Sequence, residues 1–294
     1  MLPLKGSTSH KLIIGDSRKM REVRDETVHL VVTSPPYWQL KDYGTEKQIG
    51  QSNGSYEDYL KMLSEVFNEC VRVLGPDGKL CINIMPIFLT GKNSKFGRRV
   101  TRTVLSDLEL MMDQTGRMYF HSLYIWDKRK ITRFSSYGSY PYPTNVFSTF
   151  PYEWIIVFAK AGKRLPVSKE IKELSKIEHE EWEEWCVNSM WEMQPASAKR
   201  EGHPAPFPEE LPRRIIKLYS FVGDTVLDPF LGSGTTMKVA RDLGRNSIGY
   251  EINSAYLPII KRKAQWGKQF LEPSVGELKY SLLVEDESTG KIVA

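Results

Sequence analysis

The fold of this 294-residue chain is decided by one stretch, Thr225-Val226-Leu227-Asp228-Pro229-Phe230-Leu231-Gly232-Ser233-Gly234-Thr235-Thr236. Its apolar start, its acid and its glycine-rich turn are typical of a strand, a loop and the beginning of a helix. Gly232 and Gly234 permit tight backbone turns and the close approach of a ligand. Thr235 is placed to cap a helix that ends near Gly244. The stretch therefore predicts a ligand-binding loop at the carboxyl end of a strand.

The residues around this loop predict which ligand it holds. A second predicted strand ends at Glu251, about as far from Asp228 as the ribose-binding acid lies in dinucleotide-binding folds. Met237 stands where the dinucleotide fingerprint has its third glycine, and no lysine stands where a phosphate-binding loop needs one. An acid at the mouth of the loop would repel a pyrophosphate and attract a cation. A positively charged nucleoside, S-adenosylmethionine, fits these features, and the alternative is a helix-entry turn whose glycines serve packing.

Strand-like and helix-like segments alternate outward from the loop. Strands are predicted at residues 11–15, 28–33, 79–85, 120–126, 154–159, 225–228 and 247–251. Helices are predicted at residues 56–74, 102–113, 209–218, 235–243 and 255–268. The pattern predicts an α/β fold with about seven strands in a mostly parallel sheet, helices on both faces and ligands at the carboxyl ends of the strands.

A proline-rich turn follows the apolar strand at residues 28–33. It consists of Ser34-Pro35-Pro36-Tyr37-Trp38. Prolines have no N–H, so the turn presents carbonyls, and these form an acceptor-rich edge together with the Ser34 hydroxyl. Such an edge suits an exocyclic amine, while Tyr37 and Trp38 offer flat faces to hold a flipped-out base. The alternative is a proline stop after a core strand.

Composition excludes several classes of protein. Apolar residues make up 40% and charged residues 26% of the chain, as in a globular protein with a core. No apolar run reaches the length of a membrane span, and residues 1–11 lack the apolar region of a secretory leader. Cys70, Cys81 and Cys186 are few and odd in number, which favours a reducing cytoplasm. None of them follows a proline, as the attacking thiol of a cytosine C5 methyltransferase would, and the scattered histidines predict no metal site.

The net charge of +5 hides an uneven distribution. Residues 91–133 carry ten basic and four acidic side chains, with aromatic residues among and after them. Basic and flat side chains together are typical of a nucleic-acid groove, although a solvated basic face over core aromatics gives the same pattern. Residues 168–193 carry three lysines and eight glutamates, and their near-helical apolar spacing predicts one or two amphipathic helices with a solvated acidic side.

The two motifs occur together in an order that resembles the DNA amino-methyltransferases. Thr33-Ser34-Pro35-Pro36-Tyr37 resembles their catalytic motif and precedes the cofactor loop, so the chain is similar to the circularly permuted β class. Family-like segments also occur at residues 15–17, 72–79, 203–211 and 249–253, and the resemblance extends over residues 11–268. It implies a Rossmann-like, S-adenosylmethionine-dependent methyltransferase fold with a permuted motif order.

The resemblance implies a role for each matching position. The catalytic residues are Ser34, Pro35, Pro36 and Tyr37, which orient the amine and stack on the base. The cofactor-binding residues are Asp16, Phe207, Pro208, Asp228, Pro229, Phe230, Gly232, Ser233, Gly234, Thr235, Glu251 and Asn253. The amine attacks the methyl group directly, with no covalent nucleophile and no metal, so that positioning in a dry pocket supplies most of the catalysis.

Within this family the motif favours cytosine N4 as the methylated atom. With serine in its first position, the motif resembles that of cytosine-N4 enzymes, whereas adenine-N6 enzymes usually carry Asp or Asn there. Trp38 after the motif, and Phe207-Pro208 in place of a Lys-Pro pair, favour the same target. Adenine N6 is the alternative. A non-catalytic DNA-binding module with this fold would have degraded motifs, and an RNA methyltransferase would favour an RNA-binding appendage, neither of which is evident in the sequence.

The sequence predicts a single domain in three parts. Residues 1–163 form the catalytic half, 164–200 a small insertion and candidate target-recognition region, and 201–294 the cofactor-binding half. The DNA-binding candidates are Trp38, Lys95, Arg98, Arg99, Arg129, Lys130 and Arg133. The expected partners are double-stranded DNA and a cognate restriction endonuclease that acts separately. The expected state is a monomer or homodimer in the cytoplasm, without membrane association.

Overall fold

The chain folds around one long sheet. The computed structural model describes residues 7–50, 54–130, 139–197, 206–266, 278–286 and 291–293. The strands are β1 (Thr8–Ile14), β2 (Val28–Thr33), β3 (Leu74–Ile84), β4 (Ile87–Leu89), β5 (Val100–Arg102), β6 (Met118–Asp127), β7 (Tyr152–Lys160), β8 (Met190–Glu192), β9 (Thr225–Asp228), β10 (Asn246–Glu251), β11 (Leu278–Asp286) and β12 (Lys291–Val293). The helices are α1 (Tyr56–Val73), α2 (Leu105–Gln114), α3 (Lys169–Leu174), α4 (His179–Trp182), α5 (Glu210–Tyr219), α6 (Thr235–Asp242) and α7 (Leu257–Lys263). None of these helices is both long enough and apolar enough to cross a membrane.

Ten of the described strands form a mostly parallel sheet in the order β12-β11-β1-β10-β9-β2-β3-β7-β6-β8. Antiparallel pairing is confined to β7 with its two neighbours and to β11 with β12, while β4 and β5 form a separate hairpin. All seven predicted strands are present, which confirms the predicted α/β architecture. The predicted number of strands is too low: β4, β5, β8 and β12 have three residues each and are too short to show a periodicity, and β11 lies in the C-terminal tail, where no strand was predicted.

Parallel pairing places the two sequence motifs side by side. Leu30 of β2 lies opposite Val226 of β9, and Gly249 of β10 lies opposite Asp228. β2 and β9 are neighbours in the sheet. Beyond β9 the sheet continues with β10, and beyond β2 it continues in the opposite direction with β3, so the direction of winding reverses between β2 and β9. Such a reversal opens a crevice at the carboxyl ends of the strands, where ligands bind in open α/β sheets.

Helix α1 supports the catalytic side of this crevice. It begins with a capping box in which the side chains of Ser55 and Asp58 each accept a hydrogen bond from the other's backbone N–H. Its buried face, which includes Leu63, Phe67 and Cys70, packs in one cluster with residues of the central strands. Burial of such a face stabilises the helix by packing rather than by intrinsic propensity. The predicted helix at residues 56–74 is confirmed to within one residue.

The sequence boundary at residue 163 does not divide the sheet. β1 comes from the predicted first half, yet it lies between β10 and β11 on the cofactor side. β1 pairs in parallel with both of these strands, so the N-terminal segment completes the half that residues 201–294 begin. The two halves therefore share one continuous sheet.

The described part of the insertion, residues 164–197, is packed onto the domain. β8 extends the sheet beyond β6, and Trp185 and Trp191 are buried with the Arg214 guanidinium about 5 Å from each ring. Glu184 pairs with Arg214, and Glu181 pairs with two further basic residues of α5. The predicted solvated acidic side is therefore wrong for Glu181, which α5 covers and neutralises, whereas Glu184 keeps 60% of its side chain exposed.

Candidate active site

One cavity of about 330 Å³ lies at the carboxyl ends of β2 and β9 and is lined by both sequence motifs. The residues of both predicted sites that line it are Asp16, Ser34, Pro35, Pro36, Tyr37, Phe207, Pro229, Phe230, Gly232, Ser233, Thr235 and Glu251. The predicted site residues that do not line it are Pro208, Asp228, Gly234, Asn253 and Trp38. The structure thus brings most of both predicted sites into one pocket of the size that small ligands use.

Asp228 anchors the cofactor loop from beneath instead of facing the ligand. It is buried, and its carboxylate accepts hydrogen bonds from the Thr33 hydroxyl at 2.9 Å, the Thr236 hydroxyl at 2.6 Å and the Phe230 N–H at 3.0 Å. Burial raises its pKa to about 6. The prediction that this acid attracts a cationic ligand is therefore wrong. Asp228 instead ties the end of β2 to the start of α6.

The glycines of the loop serve its backbone geometry. Gly232 has a φ of +55° and Gly234 a φ of +87°, which are left-handed conformations that glycine adopts without strain. Gly234, not Thr235, is the N-cap of α6, so the predicted capping role of Thr235 is wrong. The Thr235 hydroxyl instead lies 3.2 Å from the Ser233 hydroxyl and accepts a hydrogen bond from the Lys263 ammonium at 2.8 Å.

Glu251 is the carboxylate at the cofactor end of the cavity. One oxygen accepts from the Gly232 N–H and the other from the Asn253 N–H, each at 2.8 Å. Each oxygen keeps a further lone pair, which suits the hydroxyl donors of a ribose. Burial raises the pKa of Glu251 to about 7. Asn253 itself lies behind the wall, where its side chain donates to the Tyr43 carbonyl at 2.8 Å.

Asp16 and Pro208 are two further predicted cofactor residues; Asp16 lies in the cavity wall, and Pro208 lies beside it. Asp16 lines the cavity and forms a bidentate ion pair with Arg18. Pro208 is buried beside the wall, and its carbonyl accepts from the Leu211 N–H at the beginning of α5. Pro208 therefore supports Phe207, which does line the cavity.

The catalytic turn, residues 34–37, is held by hydrogen bonds between its own side chains and to side chains from other elements. The Ser34 hydroxyl lies 3.0 Å from the Tyr37 hydroxyl, which donates to the carboxylate of Glu153 at 2.8 Å. The Pro36 carbonyl accepts from the Tyr59 hydroxyl of α1 at 2.9 Å. Burial, and then the Glu153 charge, raise the pKa of Tyr37 far above its usual value, so this phenol stays protonated.

The Trp38 indole is buried in the core and does not line the cavity. Its side chain is only 3% exposed and packs edge-on against Tyr56, with the ring centroids 6.0 Å apart. The prediction that Trp38 contacts DNA is therefore wrong, because the turn directs the indole into the core. Tyr37 is the aromatic residue of this pair that lines the cavity.

Sequence reasoning did not identify a cluster of three polar residues in the cavity wall beside the catalytic turn. Asn83 lies in β3, Glu153 in β7 and Lys128 directly after β6, and all three line the cavity. The Lys128 ammonium pairs with the Glu153 carboxylate and lies 4.1 Å from the centre of the Trp126 ring. A polar residue within or beside an apolar strand was the available signal, because an unpaired polar group in such a position is costly.

The predicted DNA-binding cations within the described residues lie on two segments, each of which follows a residue of the cavity wall in the chain. Lys95, Arg98 and Arg99 are exposed in the loop of the β4–β5 hairpin, which follows the cavity residue Met85. Arg129 and Lys130 follow Lys128 and are also exposed, although they pair with Asp127 and Glu192. Arg133 lies outside the described residues.

The described residues contain no group of three or more His, Cys, Asp or Glu side chains arranged to hold a metal ion.

Comparison with known proteins decides the family. The N6/N4 DNA methylase family matches residues 28–262, which is most of the chain. The chain belongs to that family. Type II methyltransferase M.MjaI of Methanocaldococcus jannaschii is 35% identical over 291 residues, which cover 90% of this chain and 93% of that protein. Type II methyltransferase M.MthZI of Methanothermobacter thermautotrophicus is 33% identical over 280 residues, which cover 87% and 76% respectively.

Solved structures share the fold of this DNA methylase. TTHA0409 of Thermus thermophilus, in complex with S-adenosyl-L-methionine, superposes with a TM-score of 0.70 at 29% identity and covers 92% of this chain and 99% of that chain. The cytosine-N4-specific PvuII DNA methyltransferase has the same fold at a TM-score of 0.63 and 20% identity, with 94% and 97% covered. These findings confirm the predicted Rossmann-like methyltransferase fold and S-adenosylmethionine as the cofactor.

The cavity fits that cofactor. Glu251 supplies acceptors for ribose hydroxyls, and Asp16 places a second carboxylate in the same wall. Phe207 and Phe230 add apolar surface to the same cavity. The chain is therefore an S-adenosylmethionine-dependent DNA methyltransferase of the amino type, whose cofactor loop and catalytic turn share one pocket.

Proposed function

We propose that this DNA methyltransferase methylates the exocyclic N4 amine of a cytosine that is flipped out of duplex DNA into the cavity, as a member of the circularly permuted β class. The observation that carries the proposal is the position of the Ser34 hydroxyl, which lines the same cavity as Glu251 and the cofactor loop. In the sequence, the catalytic strand β2 precedes the cofactor strand β9, which is the order of that class.

The wall around Ser34 suits an amine. The Ser34 hydroxyl and the Pro35 carbonyl are neutral acceptors, and an exocyclic amine has two donor hydrogens to offer. If both hydrogens are held by acceptors, the lone pair of the nitrogen can point toward the methyl group. The neutral serine, together with Phe207-Pro208 in place of a Lys-Pro pair, favours cytosine N4 over adenine N6.

Catalysis in this pocket rests on positioning. When bound, S-adenosylmethionine would supply an activated methyl group; the amine nitrogen that gains it would release one proton to water, and the cofactor would remain as a neutral thioether. Ser34 and Pro35 orient the amine, Tyr37 stacks on the base, and the apolar walls exclude water. Alignment of two bound reactants of this kind can supply several kcal/mol of the barrier, on the order of 7–11 kcal/mol in well-oriented systems.

Duplex DNA is proposed to lie across the two exposed basic segments. Both segments begin next to a residue of the cavity wall. One is the hairpin loop with Lys95, Arg98 and Arg99, and the other is the segment with Arg129 and Lys130. A duplex that delivers a base to the cavity therefore passes near them. The insertion at residues 164–200 is the candidate reader of the sequence, since Pro195 and Ala196 at its end line the cavity. By likeness to type II relatives, we propose a role in a restriction-modification system with a separate nuclease.

The direct test identifies the product. The purified chain is incubated with S-adenosylmethionine carrying a labelled methyl group and with unmethylated DNA of genomic length, which contains any short recognition sequence many times. The DNA is then digested to nucleosides and analysed by mass spectrometry. We expect labelled N4-methylcytosine. N6-methyladenine alone would overturn the cytosine assignment.

A further inference from the structure

Glu153 is a buried carboxylate in the wall of the cavity, beside the catalytic turn. It is 5% exposed and contacts three side chains. One oxygen accepts from the Tyr37 hydroxyl at 2.8 Å and from the Asn83 amide nitrogen at 2.6 Å. The other oxygen pairs with the Lys128 ammonium. The charge of Glu153 is therefore compensated on one side and directed at the catalytic turn on the other.

An ionised carboxylate can only accept hydrogen bonds, and this fixes the direction of its neighbours. Tyr37 must donate its single proton to Glu153, so the Tyr37 oxygen can only accept. At 3.0 Å, the Ser34 hydroxyl then donates to Tyr37; one lone pair of the Ser34 oxygen faces the Asn83 amide nitrogen at 3.4 Å, and the other remains for the cavity. Asn83 reinforces this order, because its amide nitrogen also lies 3.1 Å from the Tyr37 oxygen.

Asn83 gives a second indication that the cluster is kept for its hydrogen-bond order. Its side chain is 2% exposed, and its carbonyl oxygen has no hydrogen-bond partner within the described part of the chain. A buried acceptor without a donor lowers stability, and departures from full pairing of this kind concentrate at functional sites. Asn83 thus keeps the orientation in which its amide nitrogen donates to Glu153, although this leaves its carbonyl oxygen without a donor within the described part of the chain.

We infer that Glu153 is a positioning residue for methyl transfer, which sets the direction of the hydrogen-bond chain so that Ser34 presents an acceptor to the target amine. The inference rests on the proposed function, since it requires an amine donor in the cavity. Glu153 itself need not touch the base. It acts through Tyr37 and Ser34, and Lys128 holds its charge in place.

The test uses Glu153→Gln, which keeps the shape and removes the charge. The new amide has one donor end and one acceptor end, and the Lys128 ammonium repels the donor end. The NH₂ group therefore turns toward Tyr37, the chain reverses, and the Ser34 proton points into the cavity. We expect the single-turnover rate of methyl transfer to fall roughly 100-fold, as for other small misplacements in active sites, with the Kd for S-adenosylmethionine unchanged.

A second substitution distinguishes hydrogen-bond direction from simple loss of structure. In Glu153→Gln/Lys128→Met the ammonium is gone, so the amide can turn its carbonyl back toward Tyr37 and Asn83. We expect this double variant to recover about tenfold of the lost rate, a difference that corresponds to one favourable hydrogen-bond arrangement. A double variant no faster than Glu153→Gln, or a Glu153→Gln variant as fast as the wild type, would overturn the inference.

Two further variants complete the design. Asp107→Asn is the matched control, because Asp107 also accepts from a tyrosine hydroxyl, that of Tyr56 at 2.7 Å, but does not line the cavity; its rate should equal that of the wild type. If Glu153→Gln does not fold, Tyr37→Phe breaks the same chain, and a wild-type rate for that variant would overturn the inference. Rates are compared with the wild type on whichever base it methylates, so failure of the inference is distinct from failure of the cytosine assignment.

Discussion

The catalytic turn and the cofactor loop follow neighbouring parallel strands, yet they are held in different ways. Within the cofactor loop, Asp228 is bonded to Phe230 and Thr236 and two glycines take left-handed conformations, while Glu251 and Lys263 add hydrogen bonds from β10 and α7. The catalytic turn at residues 34–37 is fixed by side chains from α1, β3 and β7. The backbone shape of the loop thus follows in part from its own glycines and Asp228, whereas the direction of the turn's hydrogen bonds depends on distant side chains.

The two regions therefore have different requirements, one for binding the cofactor and one for positioning the target amine. The cofactor loop needs a stable backbone shape for a ligand that is always the same. The catalytic turn needs a defined hydrogen-bond direction at one atom, the Ser34 oxygen, which several neighbours must enforce. Where the two regions meet, the Thr33 hydroxyl donates to Asp228 and joins the end of β2 to the loop. Substitutions on each side should therefore have different consequences.

The largest effect is expected for Ser34→Ala, which removes the acceptor and leaves the cofactor loop intact. We expect the single-turnover rate of methyl transfer to fall by roughly 100-fold or more. The Kd for S-adenosylmethionine, measured by calorimetry, should not change. Ser64→Ala is the control, because the Ser64 hydroxyl bonds only to a carbonyl of its own helix in the described structure. A parallel loss of cofactor affinity in Ser34→Ala would show that the two regions are not separable.

The next effect concerns the cofactor side alone and depends on pH. Burial raises the pKa of Glu251 to about 7, so the carboxyl is mostly protonated below that pH and ionised above it. Ribose hydroxyls donate to the ionised form, so affinity for S-adenosylmethionine should increase as the pH rises. We expect the Kd to fall about tenfold between about pH 6 and about pH 8.

Glu251→Gln checks the origin of that pH dependence. The amide does not titrate, so the Kd of this variant should stay constant over the same range. A variant that keeps the pH dependence of the wild type would assign it to another group, such as Asp228, whose pKa is raised to about 6.

A smaller effect is expected from the basic segments on the catalytic side. Arg98→Glu and Arg129→Glu should each weaken duplex binding severalfold, and neutralising either cation should reduce the slope of log K against log salt by about 1. Arg98 should have the larger effect, because Arg129 is already bonded to Asp127. Fluorescence anisotropy at several salt concentrations measures both quantities. An unchanged affinity and salt slope would remove these loops from the DNA interface.

The smallest effect on activity is expected for Trp38→Phe, which tests the buried position of this indole. Because Trp38 packs in the core, the substitution should lower the free energy of unfolding by about 1 kcal/mol through imperfect filling of its site. The rate of methyl transfer and the Kd for DNA should match the wild type. A selective loss of DNA affinity at unchanged stability would return Trp38 to the base-binding surface.

The same contrast explains how much the sequence could predict. The strands at residues 28–33 and 225–228 were predicted with the bounds they have in the structure, because each is a short apolar run that ends at a motif. Glu251 was predicted because its spacing from the loop is set by one helix and one strand. The strands and the loop of the cofactor side were thus predicted from nearby residues, although the positions of Asp228 and Asn253 outside the cavity wall were not.

Asn83, Lys128 and Glu153 could not be predicted in this way. They lie far from Ser34 in the sequence and meet it only because β3, β6 and β7 are adjacent in the sheet. The direction of the Trp38 side chain was equally inaccessible, since sequence alone did not show that the turn places it against Tyr56 of α1. Non-local pairing, rather than weak motifs, limited the prediction of the catalytic side.

The most direct measurement of the shared cavity is a crystal structure with S-adenosylhomocysteine and a duplex that carries the recognition sequence. We expect a flipped cytosine in the cavity, with its N4 nitrogen within about 3 Å of the Ser34 oxygen and with Tyr37 still bonded to Glu153. The cofactor product should lie along Glu251 and the loop that begins at Asp228. A target amine bound away from Ser34, or a Tyr37 hydroxyl turned from Glu153 toward the base, would contradict the proposed division between the two regions.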